Sequence, residues 1–316
     1  VLGKHTGRHA LNERLKELGF TLTAEQRYKV NIRFIYLADK KKNIFFLDLR
    51  SEEAVSEAIK IIKPDCIFHL AAVSNVKHSW EKRRETMETN ILGAFYLFEA
   101  VRQYVPKSRI LFVSSSDVYG TLPPNKRAFR EEDSVNIISP YALTKMTGEI
   151  LSQFYVQIEK LDIIVARPFA HTGPGQSPQY VCSDWARQIA QIEKGWAEPV
   201  IRVGNIEILR DFSDVRDVTR AYFLLTKKGR KGEVYNVCSG KAISLKEILK
   251  TLISLSSKKI KVKVDPQKKR KVDIPYLLGD NNKIKKETSW KPKIPLKETL
   301  HALLEYWRET IKKGDG

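Results

Sequence analysis

The chain has few cysteines and no long apolar run. Its 316 residues include three cysteines, Cys66, Cys182 and Cys238. They form no CxxC pair and no cluster with histidines, which excludes a disulfide framework and the common zinc patterns. No segment approaches the roughly 20 apolar residues of a membrane span, and the basic beginning lacks the apolar core of a signal peptide. These absences predict a cytoplasmic protein with reduced thiols, no metal site and no membrane contact.

Acidic residues are also scarce relative to basic ones. There are 37 Asp and Glu residues against 56 Lys and Arg residues, which gives a net charge of +19. One interpretation of such a charge is a nucleic-acid surface. The basic residues are dispersed, however, and the densest segment, 257–272, contains no aromatic side chain that would stack on bases. We therefore expect a solvated lysine-rich surface that attracts anionic nucleotides, and no nucleic-acid partner.

Short apolar segments alternate with amphipathic ones in the first half of the chain. The alternation predicts strands over 43–49, 65–72, 109–116 and 161–169, and helices over 51–63, 90–104 and 139–160. Strands separated by single helices are typical of a Rossmann-type α/β fold, in which the parallel sheet is doubly wound. After Phe169 the pattern changes to Gly/Pro-rich loops and mixed elements, and an amphipathic helix is predicted over 294–313.

These changes in pattern predict three parts of the chain. Residues 43–168, with part of 212–240, would form a dinucleotide-binding domain. Residues 169–316 would mainly form a smaller, interleaved C-terminal domain for the substrate. Residues 1–42 do not fit either pattern.

One predicted strand end and one predicted helix start carry residues that suggest proton transfer. Ligands in doubly wound sheets bind at the carboxyl ends of the strands, and Ser115 follows the apolar segment that begins at residue 109. Ser139 and Pro140 predict a helix start, so Tyr141 and Lys145, four residues apart, share one helical face. An adjacent ammonium lowers the pKa of a phenol and suits it to proton transfer. Each motif alone is also compatible with a serine-rich turn or an accidental pair, and only the combination is specific.

Ser115, Tyr141 and Lys145 match the Ser/Thr-Tyr-Lys set of the extended short-chain dehydrogenases/reductases, the nucleotide-sugar epimerase and dehydratase family. The segments "DLRS" (48–51), "HLAA" (69–72) and "TNILG" (89–93) stand in that family's order. Later segments resemble the branch of GDP-4-dehydro-6-deoxy-D-mannose reductases and GDP-mannose 4,6-dehydratases: "VARPFAHTGPGQ" (165–176), "VGNIEILRDFSDVRDV" (203–218), "YNVCSG" (235–240) and "TSWKPKIPL" (288–296). The resemblance extends from Asn43 to the end of the chain.

The resemblance implies a role for individual residues. Tyr141 would be the proton donor, Lys145 would hold the nicotinamide ribose, and Ser115 would hydrogen-bond the sugar C4 oxygen. The implied cofactor-binding residues are Asp48, Leu49, Leu70, Ala71, Ala72, Tyr141, Lys145 and Arg167. The implied substrate-binding residues are Ser74, Ser116, His171, Arg210 and Arg270. The implied cofactor is NADPH or NADH, with NADPH favoured, the substrate is a GDP-sugar, and the assembly is a homodimer.

Asp117 bears on which reaction of this family to expect. A dehydratase needs a carboxylate base beside the Ser/Thr, and related dehydratases carry Glu where this chain has Asp117, preceded by Ser116. A reductase needs only an external hydride donor and one proton. The motif therefore favours NAD(P)H-dependent reduction of the 4-keto group of a GDP-4-keto-6-deoxy-hexose, which forms GDP-D-rhamnose. The alternative is the GDP-mannose 4,6-dehydratase reaction, with Asp117 as the catalytic base, or the reaction of another nucleotide-sugar epimerase or dehydratase. Ala170 stands where the family usually has asparagine near the substrate.

Residues 1–42 lack the glycine-rich turn with which a dinucleotide fold binds pyrophosphate. The segments "GKHTGRHA" (3–10), "ERLKELGF" (13–20) and "LADKKK" (37–42) instead resemble 2-isopropylmalate synthase. Either a gene fusion or a misjoined sequence would produce this pattern, and no synthase activity is expected. We expect the first strand and glycine turn to be missing or replaced and dinucleotide affinity to be weakened. A non-catalytic nucleotide-sugar binder is therefore a further alternative.

Overall fold

A computed structural model describes residues 35–37, 43–45, 47–121, 127–268 and 274–312. They belong to two compact units. The first unit contains the described residues up to Val113 together with Ser139–Val165, and the second contains Ser114–Ile138 and the chain from Ala166 onward. Most of the segment 1–42, in which the foreign sequence and the missing glycine turn were predicted, lies outside the described residues, as does Arg270. The predicted bounds of the three parts of the chain stay a prediction.

The first unit alternates strands and helices in the predicted order. Its elements are β1 (Ile35–Leu37), β2 (Asn43–Phe45), α1 (Glu52–Ile62), β3 (Cys66–His69), α2 (Val76–Glu81), α3 (Arg83–Met87), a π-helical segment (Glu88–Leu92), α4 (Gly93–Tyr104), β4 (Arg109–Val113), α5 (Pro140–Gln157) and β5 (Asp162–Pro168), whose last residues belong to the second unit. Helix α1 begins where the Ser51 side chain accepts a hydrogen bond from the Ala54 N–H, and it ends at Lys63 in the left-handed conformation.

The central sheet has the strand order β3-β4-β5-β9, where β9 spans Val234–Val237. β3 and β4 are parallel and in register from Cys66↔Arg109 to His69↔Phe112. The middle of β4 is fully buried, as expected for a parallel strand covered on both faces. This arrangement confirms the predicted Rossmann-type α/β fold.

The predicted strand over 43–49 is shorter than expected and lies outside the central sheet. Strand β2 ends at Phe45 and pairs antiparallel with β1, from Ile35↔Phe45 to Leu37↔Asn43, in a two-stranded sheet of its own. Antiparallel neighbours need only a short connection, whereas a parallel pair needs a long crossover. The proximity of the two segments in sequence therefore explains this pairing.

The second unit combines mixed sheets with a helical layer. Its elements are a 3₁₀ turn (Ser116–Tyr119), β6 (Ala170–Thr172), α6 (Val181–Glu193), β7 (Val200–Val203), β8 (Leu209–Asp214), α7 (Val215–Lys228), β9, β10 (Ala242–Ser244), α8 (Leu245–Ser254), β11 (Lys261–Val264), a 3₁₀ turn (Pro266–Lys268), β12 (Tyr276–Leu277), α9 (Asn282–Thr288) and α10 (Leu296–Lys312). β8 pairs with β6, β10 and β12, and β7 pairs with β11. The apolar faces of α6, α8 and α10 share one core, which includes Trp185, Ile248 and Leu304. None of the described helices has the length and apolar character needed to cross a membrane.

Gly148 allows helix α5 to approach β4 closely. A Cβ atom at position 148 would lie 2.2 Å from Phe112 Cζ, far inside van der Waals contact. Any side chain there would push the helix away from the strand. The small residue therefore sets the distance at which the face of α5 that carries Lys145 meets the sheet.

We predict that Gly148→Ala lowers the free energy of unfolding by about 1–3 kcal/mol because of this overlap, although alanine favours helix by up to about 1 kcal/mol. Urea denaturation of the purified protein measures the difference. Thr147→Ala, at the neighbouring half-buried position of α5, is the control and should change stability by about 0.5 kcal/mol or less. Equal stability of Gly148→Ala and the native protein would contradict this description of the packing.

Candidate active site

Lys145 is a buried cation held at the end of a sheet strand. Only 4% of the residue is exposed, and its Nζ donates a 2.7 Å hydrogen bond to the carbonyl oxygen of Val113, the last residue of β4. The ammonium lies 5.5 Å from the centre of the Phe112 ring and 5.9 Å from that of Tyr141. Burial lowers the pKa of Lys145 to about 8, although the nearby Glu149 carboxylate acts in the opposite direction. The side chain is thus held at the carboxyl end of β4.

Tyr141 lies one helical turn before Lys145 and is also buried. The helix starts as the sequence predicts, since the Ser139 side chain accepts a hydrogen bond from the Ala142 N–H and Pro140 occupies the first turn. The Thr144 hydroxyl donates to the Tyr141 carbonyl oxygen at 2.8 Å. The backbone that carries the phenol is therefore fixed on both sides.

Asn90 connects this helix to the segment after β3, a role that the sequence analysis missed. Its Oδ1 accepts a hydrogen bond from the Val73 N–H at 2.7 Å, and its Nδ2 donates to the Val73 carbonyl at 3.1 Å and to Thr144 Oγ1 at 2.9 Å. Asn90 is buried in the π-helical segment. Such segments often mark functional sites. The motif "TNILG" was the available signal, but the sequence did not show the partners of its asparagine.

The end of β3 presents a small, mostly apolar surface. His69 is buried and stacks on Phe112 with ring centres 5.7 Å apart. Burial lowers the pKa of His69 to about 3, so the imidazole is neutral near pH 7. Leu70 is 44% exposed, whereas Ala71 is buried and Ala72 half-buried. The two alanines keep the side chains at this strand end small, Leu70 is its exposed apolar side chain, and the exposed Ser74 follows.

Asp48 lies in a cavity of about 350 Å³ lined by Asp48, Arg50, Ser51, Glu88 and Leu92. The Arg50 guanidinium donates from Nε to Asp48 Oδ1 at 3.0 Å and from Nη2 to Oδ2 at 2.7 Å. The pair keeps the carboxylate in one orientation beside Leu49, which is half-buried. The cavity lining is therefore mainly polar and charged, with Leu92 as its apolar member and Asp48 as a hydrogen-bond acceptor.

Ser115, Ser116 and Asp117 form a tight turn in the second unit. Ser115 and Ser116 are buried, Asp117 is half-buried, and the Asp117 N–H donates to Ser115 Oγ at 3.1 Å. Ser115 follows Val113, whose carbonyl oxygen Lys145 holds, by two residues in the chain. The serine thus has an ordered hydroxyl immediately after β4.

Three other predicted residues of the second unit have local partners. Arg167 is buried, and its Nη1 donates to Tyr119 Oη at 2.9 Å and to the Glu131 carbonyl at 3.2 Å. His171 Nδ1 lies 3.0 Å from the Phe169 carbonyl oxygen, and burial lowers the pKa of His171. Arg210 is half-buried and donates to the Leu209 carbonyl at 2.8 Å.

A Rossmann-type sheet with a buried lysine and a tyrosine on one turn of the adjoining helix defines a protein of the short-chain dehydrogenase/reductase class. The family model described as GDP-mannose 4,6 dehydratase matches residues 2–303. The chain belongs to this family, within the nucleotide-sugar epimerases and dehydratases, and the predicted family is confirmed.

The chain is similar to named members of this group. It is 33% identical to GDP-6-deoxy-D-mannose reductase of Pseudomonas aeruginosa over 79% of this chain and 82% of that protein. It is 27% identical to GDP-mannose 4,6-dehydratase of Yersinia enterocolitica over 80% of this chain and 76% of the relative. The solved structure of RMD from Pseudomonas aeruginosa complexed with NADPH superposes with a TM-score of 0.79 and 32% identity, over 83% of this chain and 87% of that one.

The lowered pKa of Lys145 predicts how stability depends on pH. Between its folded value of about 8 and its ordinary value of 10.5, the unfolded lysine holds a proton that the folded one has lost. The free energy of unfolding should therefore rise with pH in this window, by up to about 3 kcal/mol at about 1.36 kcal/mol per pKa unit. Lys145→Met should lack this rise.

Denaturant titrations at several pH values from 7.5 to 10.5 would measure the difference between native protein and variant. Lys107→Met, at an exposed position, is the control and should follow the native pH dependence. Parallel curves for the native protein and Lys145→Met would contradict a depressed lysine pKa.

Proposed function

We propose that this protein reduces the 4-keto group of a GDP-4-keto-6-deoxy-hexose with NADPH or NADH and forms GDP-D-rhamnose. The observation that carries the proposal is the buried Lys145 ammonium, held by the Val113 carbonyl one helical turn from Tyr141. Membership of a nucleotide-sugar family and the similarity to a GDP-6-deoxy-D-mannose reductase support the substrate class.

The described residues of the first unit fit a nicotinamide dinucleotide. The Lys145 ammonium has two donors beyond its bond to Val113, which suits ribose hydroxyls. Leu70, Ala71 and Ala72 offer small or apolar side chains at the end of β3. The oriented Asp48 carboxylate can accept a hydrogen bond from an adenine amino group, and Leu49 lies next to it in the chain. NADPH is the favoured form, in keeping with the NADPH bound to RMD.

The proposed chemistry assigns one proton and one hydrogen bond to this chain. The reduced nicotinamide supplies a hydride when bound. Tyr141 donates the proton that converts the C4 oxygen into a hydroxyl, and the Lys145 ammonium stabilises the phenolate that remains. Ser115 donates a hydrogen bond to the same oxygen through the hydroxyl that the turn orients. Arg167 is proposed to lie near the nicotinamide.

The substrate is proposed to be held mainly by the second unit. Arg210 and Arg270 would bind the diphosphate, because a planar guanidinium can donate two parallel hydrogen bonds to phosphate oxygens. His171, Ser74 and Ser116 would contact the sugar nucleotide. Ala170, at the start of β6, removes the polar contact that the family's usual asparagine would offer at this position.

Dehydration of GDP-mannose is the second candidate reaction. Asp117 is half-buried in the turn that orders Ser115, so a carboxylate base is present, although one methylene shorter than Glu. The matching family model and the Yersinia relative carry the dehydratase name. Reduction remains the favoured proposal because it needs no base beyond the Ser-Tyr-Lys set.

We predict that purified protein oxidises NADPH, followed at 340 nm, when GDP-4-keto-6-deoxymannose is added. Asp117→Asn should change this rate by less than about threefold, because the reduction requires no carboxylate base; loss of a true catalytic base typically costs about 10²–10⁴-fold. GDP-mannose with NADP⁺ should give no 4-keto product.

Other outcomes would overturn the proposal in distinct ways. Formation of a 4-keto sugar from GDP-mannose, abolished by Asp117→Asn, would identify a dehydratase. Calorimetric binding of a GDP-sugar without binding of NADPH would identify a non-catalytic nucleotide-sugar binder.

We also propose a homodimer formed through helix α5. Leu143, Ile150, Phe154 and the adjoining Ile158 recur at intervals of seven, four and four residues, and each is between 44% and 61% exposed. This spacing places them along one face, here called the α5 stripe. Contiguous exposed apolar residues mark protein interfaces, and a second copy of the same chain is the proposed occupant.

Charges placed in the α5 stripe should separate the dimer. We expect sedimentation velocity to show a dimer for the native protein and a monomer for the Ile150→Glu/Phe154→Glu variant, because two buried carboxylates per subunit would lack partners. Ile61→Glu replaces an isoleucine of α1 that is 59% exposed and should remain dimeric. A monomeric native protein, or a dimeric double variant, would refute the proposed interface.

A further inference from the structure

Tyr119 lies at the centre of a buried polar network in the second unit, and the proposed chemistry assigns no role to Tyr119 or to its partner Asn236. Its hydroxyl donates to Asn236 Oδ1 at 2.8 Å and accepts from Arg167 Nη1 at 2.9 Å. The Asn236 N–H donates to Glu131 Oε1 at 2.8 Å, and its Nδ2 donates to the Phe129 carbonyl at 3.0 Å. Tyr119 and Asn236 have no solvent exposure. Burial raises the pKa of Tyr119 well above its ordinary value, so the phenol keeps the proton that it donates.

The ring of Tyr119 also has close partners. It stacks on Phe129 with ring centres 4.5 Å apart and planes at 13°. The Arg167 guanidinium carbon lies 4.9 Å from the centre of the ring. The ring and the polar end of this side chain therefore both contact buried groups.

Two consecutive residues of β5 hold the two ends of the turn that carries Ser115. The Ala166 carbonyl accepts a hydrogen bond from the Ser114 N–H at 2.8 Å. The next residue, Arg167, binds the hydroxyl of Tyr119, the last residue of the 3₁₀ turn. The Ser115 region is thus held at its beginning through the backbone and at its end through a phenol.

Within the turn, the position of Ser115 depends on the residues that lead to Tyr119. Ser115 Oγ accepts the Asp117 N–H at 3.1 Å, and the Ser115 carbonyl accepts the Val118 N–H at 3.4 Å. The chain then leaves through Gly120 at φ 60°, where a Cβ would lie 2.0 Å from the Asn136 carbonyl oxygen. The exit is therefore restricted to glycine, and a shift at Tyr119 would be transmitted to the serine.

We infer that Tyr119 is a positioning residue for the proposed reduction: its hydroxyl, bridging Arg167 and Asn236, holds the turn that orients Ser115 Oγ. The inference rests on the proposed function, because it assigns value to the orientation of Ser115. Independently of the reaction, the Tyr119 hydroxyl restrains the backbone of the turn 115–120.

Tyr235, the residue before Asn236 in β9, provides a matched control. Its side chain is fully buried, and its hydroxyl also bridges two groups: it donates to Glu287 Oε2 at 2.5 Å and accepts the Arg230 N–H at 3.0 Å. Tyr235→Phe and Tyr119→Phe each remove one buried phenol oxygen from a hydrogen-bonded position in the same unit. Only the second change touches the turn of Ser115.

The experiment compares Tyr119→Phe, Tyr235→Phe and the native protein by hydrogen exchange and by kinetics. In Tyr119→Phe, amides 115–120 should exchange at least about tenfold faster, since local opening limits exchange, and in Tyr235→Phe they should match the native protein. Tyr119→Phe should lower kcat about 10- to 100-fold and change the KM for NADPH less than about twofold, the pattern of a lost transition-state interaction. Tyr235→Phe should keep the native kcat.

The possible outcomes distinguish the inference about Tyr119 from the proposed function. Equal kcat values for Tyr119→Phe and Tyr235→Phe, or equal exchange rates of amides 115–120 in the two variants, would overturn the inference. A phenol with a merely structural role would change neither kcat nor these exchange rates selectively. An inactive native protein would refute the proposed function, and with it the catalytic part of the inference, while the exchange rates would still test the restraint. If Tyr119→Phe does not fold, Asn236→Ala removes the acceptor of the hydroxyl instead and should change exchange and kcat in the same directions.

Discussion

The hydrogen bond from the Lys145 ammonium to the Val113 carbonyl is the interaction on which the candidate site depends. It joins a charged side chain of α5 to the last residue of β4. A buried ammonium is costly without partners, so the fold holds it only while the strand end and the helix keep their positions. Gly148, one turn after Lys145 in α5, allows the helix to lie this close to β4 because it leaves room for the Phe112 ring.

Neighbouring contacts in the first unit reinforce this arrangement. Ser139 caps the helix, and Asn90 ties Thr144 to the segment after β3. These hydrogen bonds therefore restrain the start of helix α5, which carries the phenol of Tyr141. Preorganisation of this kind matters for proton transfer, because donors must be within hydrogen-bond reach of the reacting oxygen.

The sequence predicted those parts of the site that depend on local patterns. The start of α5 at Ser139–Pro140, the Tyr141–Lys145 spacing, and strands β3, β4 and β5 follow from capping, helical periodicity and apolar runs. Contacts between residues far apart in the chain were not predictable in this way. Asn90 with Thr144, and Tyr119 with Asn236, are separated by 54 and 117 residues, and no periodicity connects them. The pairing of β2 with β1 was likewise set by a partner outside the alternating pattern.

The central claim is that Tyr141, held beside the anchored Lys145, gives the proton to the keto sugar. It is tested most directly by single-turnover reduction of GDP-4-keto-6-deoxymannose by NADPH, comparing native protein, Tyr141→Phe and the control Tyr104→Phe, a half-buried tyrosine at the end of α4. The rate for Tyr141→Phe should fall at least about 100-fold, as expected for loss of a general acid, while NADPH binding and the Tyr104→Phe rate remain native. A native rate for Tyr141→Phe would contradict the account.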